Sequence, residues 1–213
     1  MRPGPLVQAA RLGRWAVQGL DGLVSWGKGI QRFTEQPGCI LRLARVRSKL
    51  FVRLSDGTEV RPSDWVGELH LWNERLPHIP PEGPDLVWAR EFWRLWLHSL
   101  GVLAHYVGQE PGWGQVRAFR GETVFSAKDA FPWERALKRV GFDVSSLPPP
   151  VSAWGRFKAF WENGYAWALI WTYNPGSLRR KDFFRLRRFR IWISREGLLS
   201  RHGSAQRAER AEE

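Results

Sequence analysis

The sequence predicts an α+β fold: a largely antiparallel sheet with helices packed on one face of a single domain. Three observations predict it. Residues 39–73 alternate apolar and polar side chains at the strand period of two, interrupted by Asp56-Gly57, a strong hairpin signal. Residues 86–107 place Ala89, Phe92, Trp93, Trp96, Leu97, Leu100, Leu103, Ala104 and Val107 at helical spacing. Strands and helices then follow one another without the regular βαβ alternation of a parallel sheet.

In chain order, residues 5–27 carry a helical stripe of Leu6, Ala9, Ala10, Ala16, Val17, Leu20 and Val24, weakened by Gly13, Gly19 and Gly22. This helix is expected to pack on the domain; lying on a membrane surface is the other reading. "CILRLARV", the hairpin in "LFVRLSDGTEVRP" and "WVGELHLW" read as an antiparallel meander. The proline-rich "PHIPPEGPD" connects to the helix over 86–107, with Asp85 as its cap. "QVRAFRGETVF" reads as two short strands about Arg120-Gly121. "AFPWERALKRVGF" is a helix ended by Gly141, and "FDV" a strand. A long aromatic helix is expected over 151–173, a last strand in "FFRLRRFRIWI", and a short helix capped by Ser194. The domain boundaries are 1–30 for the N-terminal helix, 31–202 for the α+β body and 203–213 for a polar, disordered tail.

The 213 residues are 43% hydrophobic, enough for a sizeable core. Lys and Arg number 33 against 21 Asp and Glu, a formal charge of +12. Such a balance attracts phosphate-bearing partners; the competing reading is plain solubility in an arginine-rich proteome. There are 14 Trp, a residue common at sugar-binding and bilayer surfaces, although most are expected in the core. Cys39 is alone, which excludes an internal disulfide and a cysteine metal cluster. No apolar run is long enough to cross a membrane, and Arg11, Arg14, Gln18 and Asp21 break any secretion signal. The expected location is the cytoplasm, with peripheral contact to the inner membrane face left open.

The densest cluster of reactive groups is "GELHLWNERLP", residues 67–77. On a strand, Glu68, His70 and Trp72 share a face, with Glu68 and His70 about 7 Å apart along the chain. That suits a general base and its partner, so these two are the candidate catalytic residues; an exposed polar face with one ion pair is the alternative. Asn73 is expected to close the strand and to border a binding surface. His98 and His105 stand two helical turns apart, about 10.5 Å, too far to grip one metal; they read as a solvated face. "QEPGWG" fits the Q-x-x-G-x-G phosphate loop of acetyltransferases, but it follows a helix where a strand should precede it, and so reads as a helix-ending turn. No metal site and no cofactor are expected. The last strand interleaves Arg185, Arg188 and Arg190 with aromatics, and with Trp192 these form the candidate anion-binding surface. An arginine-rich edge strand that resists aggregation reads equally well.

"LSDGTEVRPSDWVGELHLWNERL", "VRAFRGETVF", "ALKRVGFDVSSLPPP" and "RIWISREGLL" together resemble the YkoP-like domain, over most of residues 15–200. The resemblance implies a bacterial domain that occurs alone or attached to polysaccharide deacetylases, and hence a link to envelope carbohydrate or glycolipid metabolism. It carries no catalytic residues across. The deacetylase H-x-x-x-H motif is absent, since no two histidines here lie four apart. The reading is a non-catalytic binding or accessory domain for an anionic or sugar-bearing ligand, with envelope-polysaccharide enzymes as partners. The alternatives are an acyl- or glycan-modifying enzyme built on Glu68 and His70, and a membrane-surface or nucleic-acid binder.

Overall fold

The computed structural model describes residues 27, 29–80, 85–126, 130–147, 152 and 186–203. All but the last residue of the expected N-terminal helix, all but Ser152 of the helix expected over 151–173, Arg185 and the tail beyond Gly203 lie outside them.

Among the described residues, seven strands and three α-helices follow in the order β1 (Leu41–Arg47), β2 (Val52–Arg53), β3 (Glu59–Val60), β4 (Trp65–Leu71), α1 (Leu86–Gln109), β5 (Ala118–Ser126), α2 (Ala130–Arg139), β6 (Asp143–Ser146), β7 (Leu186–Ser194) and α3 (Arg195–His202). Five strands form one sheet in the order β1-β4-β5-β7-β6, and β2-β3 form a separate hairpin. Every neighbouring pair in the large sheet is antiparallel except β4 and β5. That parallel pair follows from α1: its 24 residues span about 36 Å, enough to carry the chain back along the sheet before β5 begins. The fold is α+β.

Period-two alternation gives the sheet two different faces. Leu41, Leu43, Leu69, Phe119, Ile191 and Ile193 point to one side and are buried against Leu95, Trp96, Leu100, Leu103 and Val107 of α1, Leu137 of α2 and Leu198 of α3. The other face carries a smaller core, in which Val66, Ala118 and Trp192 of the sheet meet Leu54 and Val60 of the hairpin. Phe119 fits because it lies opposite Gly67 in the parallel register, and a Cβ at Gly67 would overlap its ring. The caps form where the sequence places them: Asp85 accepts from the Trp88 N–H at 2.7 Å, and Ser194 from the Gly197 N–H at 2.8 Å. Gly141 closes α2 at φ +98°.

Three expectations are corrected. The meander over 39–73 is not one sheet: β1 pairs directly with β4, and the Asp56-Gly57 hairpin folds across the outer face as its lid. Arg120-Gly121 is no turn, because both continue a nine-residue strand between β4 and β7. The arginine-rich strand β7 is not an edge, since β6 pairs with its far side.

The hairpin tip is pinned. The Ser55 N–H donates to the Asp143 carboxylate at 2.8 Å, and Asp56 takes hydrogen bonds from the Thr58 N–H and the Ser194 hydroxyl. Burial acts to raise the Asp56 carboxyl, but these bonds outweigh it and hold the group below its usual range. The turn thus fastens the lid to the point where β7 passes into α3.

Candidate functional site

Strand β4 presents Glu68 and His70 on the outer face, as its alternation requires. The register then decides their neighbours. Arg42 lies opposite His70, Arg120 opposite Glu68, and Arg190 opposite Glu122. The result is a ladder of alternating charge across four strands. Arg120 Nη2 stands 3.1 Å from Glu68 Oε2, and Arg190 reaches Glu122 Oε1 at 2.6 Å through Nη2 and at 3.2 Å through Nε. Such cross-strand pairs hold register.

Glu68 and His70 do come together, but not as a hydrogen-bonded dyad. His70 Nε2 lies 3.9 Å from Glu68 Oε1, beyond hydrogen-bond range, while the other carboxylate oxygen is held by Arg120. A surface depression of about 380 Å³ is lined by Glu134, Arg135, Lys138 and Arg139 of α2, and by neither Glu68 nor His70. Among the described residues, no group of three or more His, Cys, Asp or Glu side chains could hold a metal ion.

The basic-aromatic strand is also rearranged. Trp192 is 2% exposed beneath the hairpin, so it belongs to a core and offers no ring to a ligand; this corrects its expected place on a binding surface. The physical reason is the lid, which buries a sheet face that alternation alone leaves open. Arg190 is joined to Glu122, and Arg188 is half-buried on the same face. Arg185 lies outside the described residues. Asn73 is half-buried and opens a 3₁₀ turn that its backbone closes, the Asn73 carbonyl accepting from the Leu76 N–H at 3.4 Å. His98 and His105 are half-buried rather than solvated. "QEPGWG" forms a 3₁₀ turn after α1, with Trp113 in the core.

Two arginine-tryptophan stacks escaped the sequence reading. Arg32 and Arg75 stack on Trp72 at 4.5 and 3.6 Å. This one is structural: Trp72 is buried, and Arg75 also donates to the Gln36 carbonyl and pairs with Glu35. The second differs. Arg45 and Arg47 stack on Trp65 at 4.7 and 3.6 Å. Each donates one hydrogen bond to a backbone carbonyl, Arg45 to Gly112 at 2.6 Å and Arg47 to Ser63 at 2.7 Å. Both are exposed, and no carboxylate pairs with either among the described residues. Arg117, also exposed and without a carboxylate partner among the described residues, joins them by donating its backbone N–H to the Trp65 carbonyl at 3.0 Å. The two-residue spacing of Arg45 and Arg47 signals a shared face; only the register brings Trp65 opposite Arg47, with Arg45 opposite the neighbouring Gly67.

A mixed sheet with helices on one face and a charge ladder on the other defines an α+β domain. The model of the YkoP domain family matches residues 12–202, and the chain belongs to that family. No curated protein and no solved structure matches the chain.

Proposed function

We propose that this YkoP domain is a non-catalytic binding or accessory module of cell-envelope carbohydrate or glycolipid metabolism, which holds an anionic, sugar-bearing ligand through arginines. The observation that carries the reading is the pair Arg45 and Arg47 on Trp65. Each guanidinium is oriented by the ring and one carbonyl, and each keeps further N–H donors for a ligand. Guanidinium forks fixed in advance recognise phosphate or carboxylate with little loss of side-chain freedom. The envelope setting rests on the likeness to domains attached to polysaccharide deacetylases. Those enzymes are the partners we propose, at the inner face of the membrane. Among the described residues, no helix is long and apolar enough to cross one.

Calorimetric titration with a sugar 1-phosphate, and with the same sugar unphosphorylated, tests this. The expected outcome is binding of the phosphorylated sugar alone, weakened at least about tenfold in the double variant Arg45→Gln, Arg47→Gln. Equal binding of both sugars, or an unaffected variant, would overturn it.

The second reading is an enzyme that uses Glu68 and His70, favoured by their 3.9 Å approach. It requires that His70→Ala abolish turnover of an acyl- or glycan-bearing substrate.

A further inference from the structure

Among the described residues, four large apolar side chains are exposed, in two pairs: Leu50 and Phe51, and Leu86 and Val87. The pairs differ in their electrostatic setting. Leu86 and Val87 open α1 directly after the carboxylate of Asp85. Leu50 and Phe51 lie between Lys49 and Arg53, at the entrance to the β2-β3 hairpin.

The hairpin's alternation fixes the geometry. Val52 and Leu54 turn inward onto the outer-face core, so Phe51 and Arg53 turn out, Phe51 being 61% exposed. On the partner strand Val60 is buried, which turns Glu59 and Arg61 out. Arg61 pairs with Glu59 at 3.0 Å, and the Asp64 carboxylate accepts the Arg61 backbone N–H at 2.8 Å. Lys49 and Arg53 enter no ion pair among the described residues. The apolar pair is therefore ringed by Lys49, Arg53 and Arg61 against Glu59 and Asp64, with Arg47 close behind through the Ser63 carbonyl.

The loop is also held in shape. Ser48 is buried; its Oγ accepts the Leu50 N–H at 3.2 Å, and its hydroxyl lies 2.9 Å from the Leu50 carbonyl. Its backbone continues the β1-β4 ladder, donating to Asp64 O and accepting from Ser63 N, each at 2.8 Å. A tip fixed in this way gives up little freedom when it enters a second phase.

We propose that Lys49–Arg53 is a membrane-docking tip: Leu50 and Phe51 enter the interface of an anionic bilayer, and Lys49 and Arg53 engage lipid phosphates. Exposed aromatic and aliphatic groups flanked by the cations Lys49 and Arg53 match such a surface in both of its phases. The tip goes beyond the ligand site at Trp65 and uses different side chains. It would present that site to a membrane-borne glycolipid, a consequence that rests on the proposed function.

Flotation of the full chain with phosphatidylglycerol-containing vesicles and with pure phosphatidylcholine vesicles tests the tip. The chain should float with the anionic vesicles only. The double variant Leu50→Ser, Phe51→Ser should lower partitioning about tenfold or more, and Lys49→Gln with Arg53→Gln should lower it to a similar extent. The variant Leu86→Ser, Val87→Ser should float like the parent, and free glycerol 3-phosphate should not compete. Flotation unchanged in the Leu50, Phe51 variant would overturn the proposal. So would competition by glycerol phosphate, which marks a free-phosphate site, or binding of an RNA oligonucleotide without vesicle binding. The sugar-phosphate titration separates the two proposals. A parent chain that binds sugar phosphate but no vesicles overturns the tip alone, and one that floats through Leu50 and Phe51 but binds no sugar phosphate overturns only the ligand site.

Discussion

Ser99 joins α1 to the residue that precedes β1. Its hydroxyl donates to the Leu95 carbonyl at 2.7 Å and accepts the Ile40 N–H at 2.8 Å, and all three residues are buried. Ser99→Ala leaves that N–H without a partner, and chemical denaturation should show a loss of about 1–3 kcal/mol; an unchanged midpoint would refute the assignment. His202 is the second decisive side chain. Burial, with the charge of Arg201, holds its pKa below the ordinary 6.5 despite the Nε2 contact with the Val140 carbonyl at 3.1 Å. The unfolded chain then binds the extra proton first. The stability this neutral ring contributes is complete above the ordinary value and is lost as pH falls from there towards the folded pKa. Denaturation midpoints measured from about pH 7.5 down to about pH 5.5 should fall less steeply in His202→Gln than in the parent. Neither role was legible in the sequence, because Ser99 and His202 acquire their partners only when α1 and α3 pack.

At the scale of elements, β4 and β5 approach closely where Gly67 faces the Phe119 ring. Phe119 is fully buried over Gly67, so Gly67→Ala forces the ring or the strand to move. Overpacking of this kind costs typically 1–3 kcal/mol. The shortened variant Gly67→Ala, Phe119→Leu should recover part of that loss in thermal melts, and a double variant less stable than either single one would contradict the argument. Several elements could be read in advance. Asp85 and Ser194 announce their caps, Asp56-Gly57 its turn, and the α1 stripe its buried face, because each depends on residues within a few positions. Pairing partners could not. The β1-β4 pair skips the hairpin, and the β4-β5 pair closes over α1, so both depend on packing among distant segments. The same omission misplaced Trp192: alternation assigns it to the outer face correctly, but only the docked hairpin shows that this face is covered there.

At the scale of the molecule, a charge of +12 does not make every arginine available. Arg120 and Arg190 are bound into the ladder with Glu68 and Glu122, whereas Arg45, Arg47 and Arg117 collect at the Trp65 end without carboxylate partners among the described residues. The sequence shows the excess of cations and places Glu68 beside His70. It does not show which cations are already neutralised, since the register decides that. Hence the central claim is spatial: an anionic ligand contacts the Trp65 end and not the Glu68-His70 face. Backbone amide shifts of the isotope-labelled full chain, followed during titration with a sugar 1-phosphate, test it most directly. Shifts concentrated at Arg45–Arg47, Ser63–Trp65 and Gly112–Arg117 are the predicted result; shifts centred on Glu68, His70 and Arg120, with the Trp65 end unmoved, would contradict it.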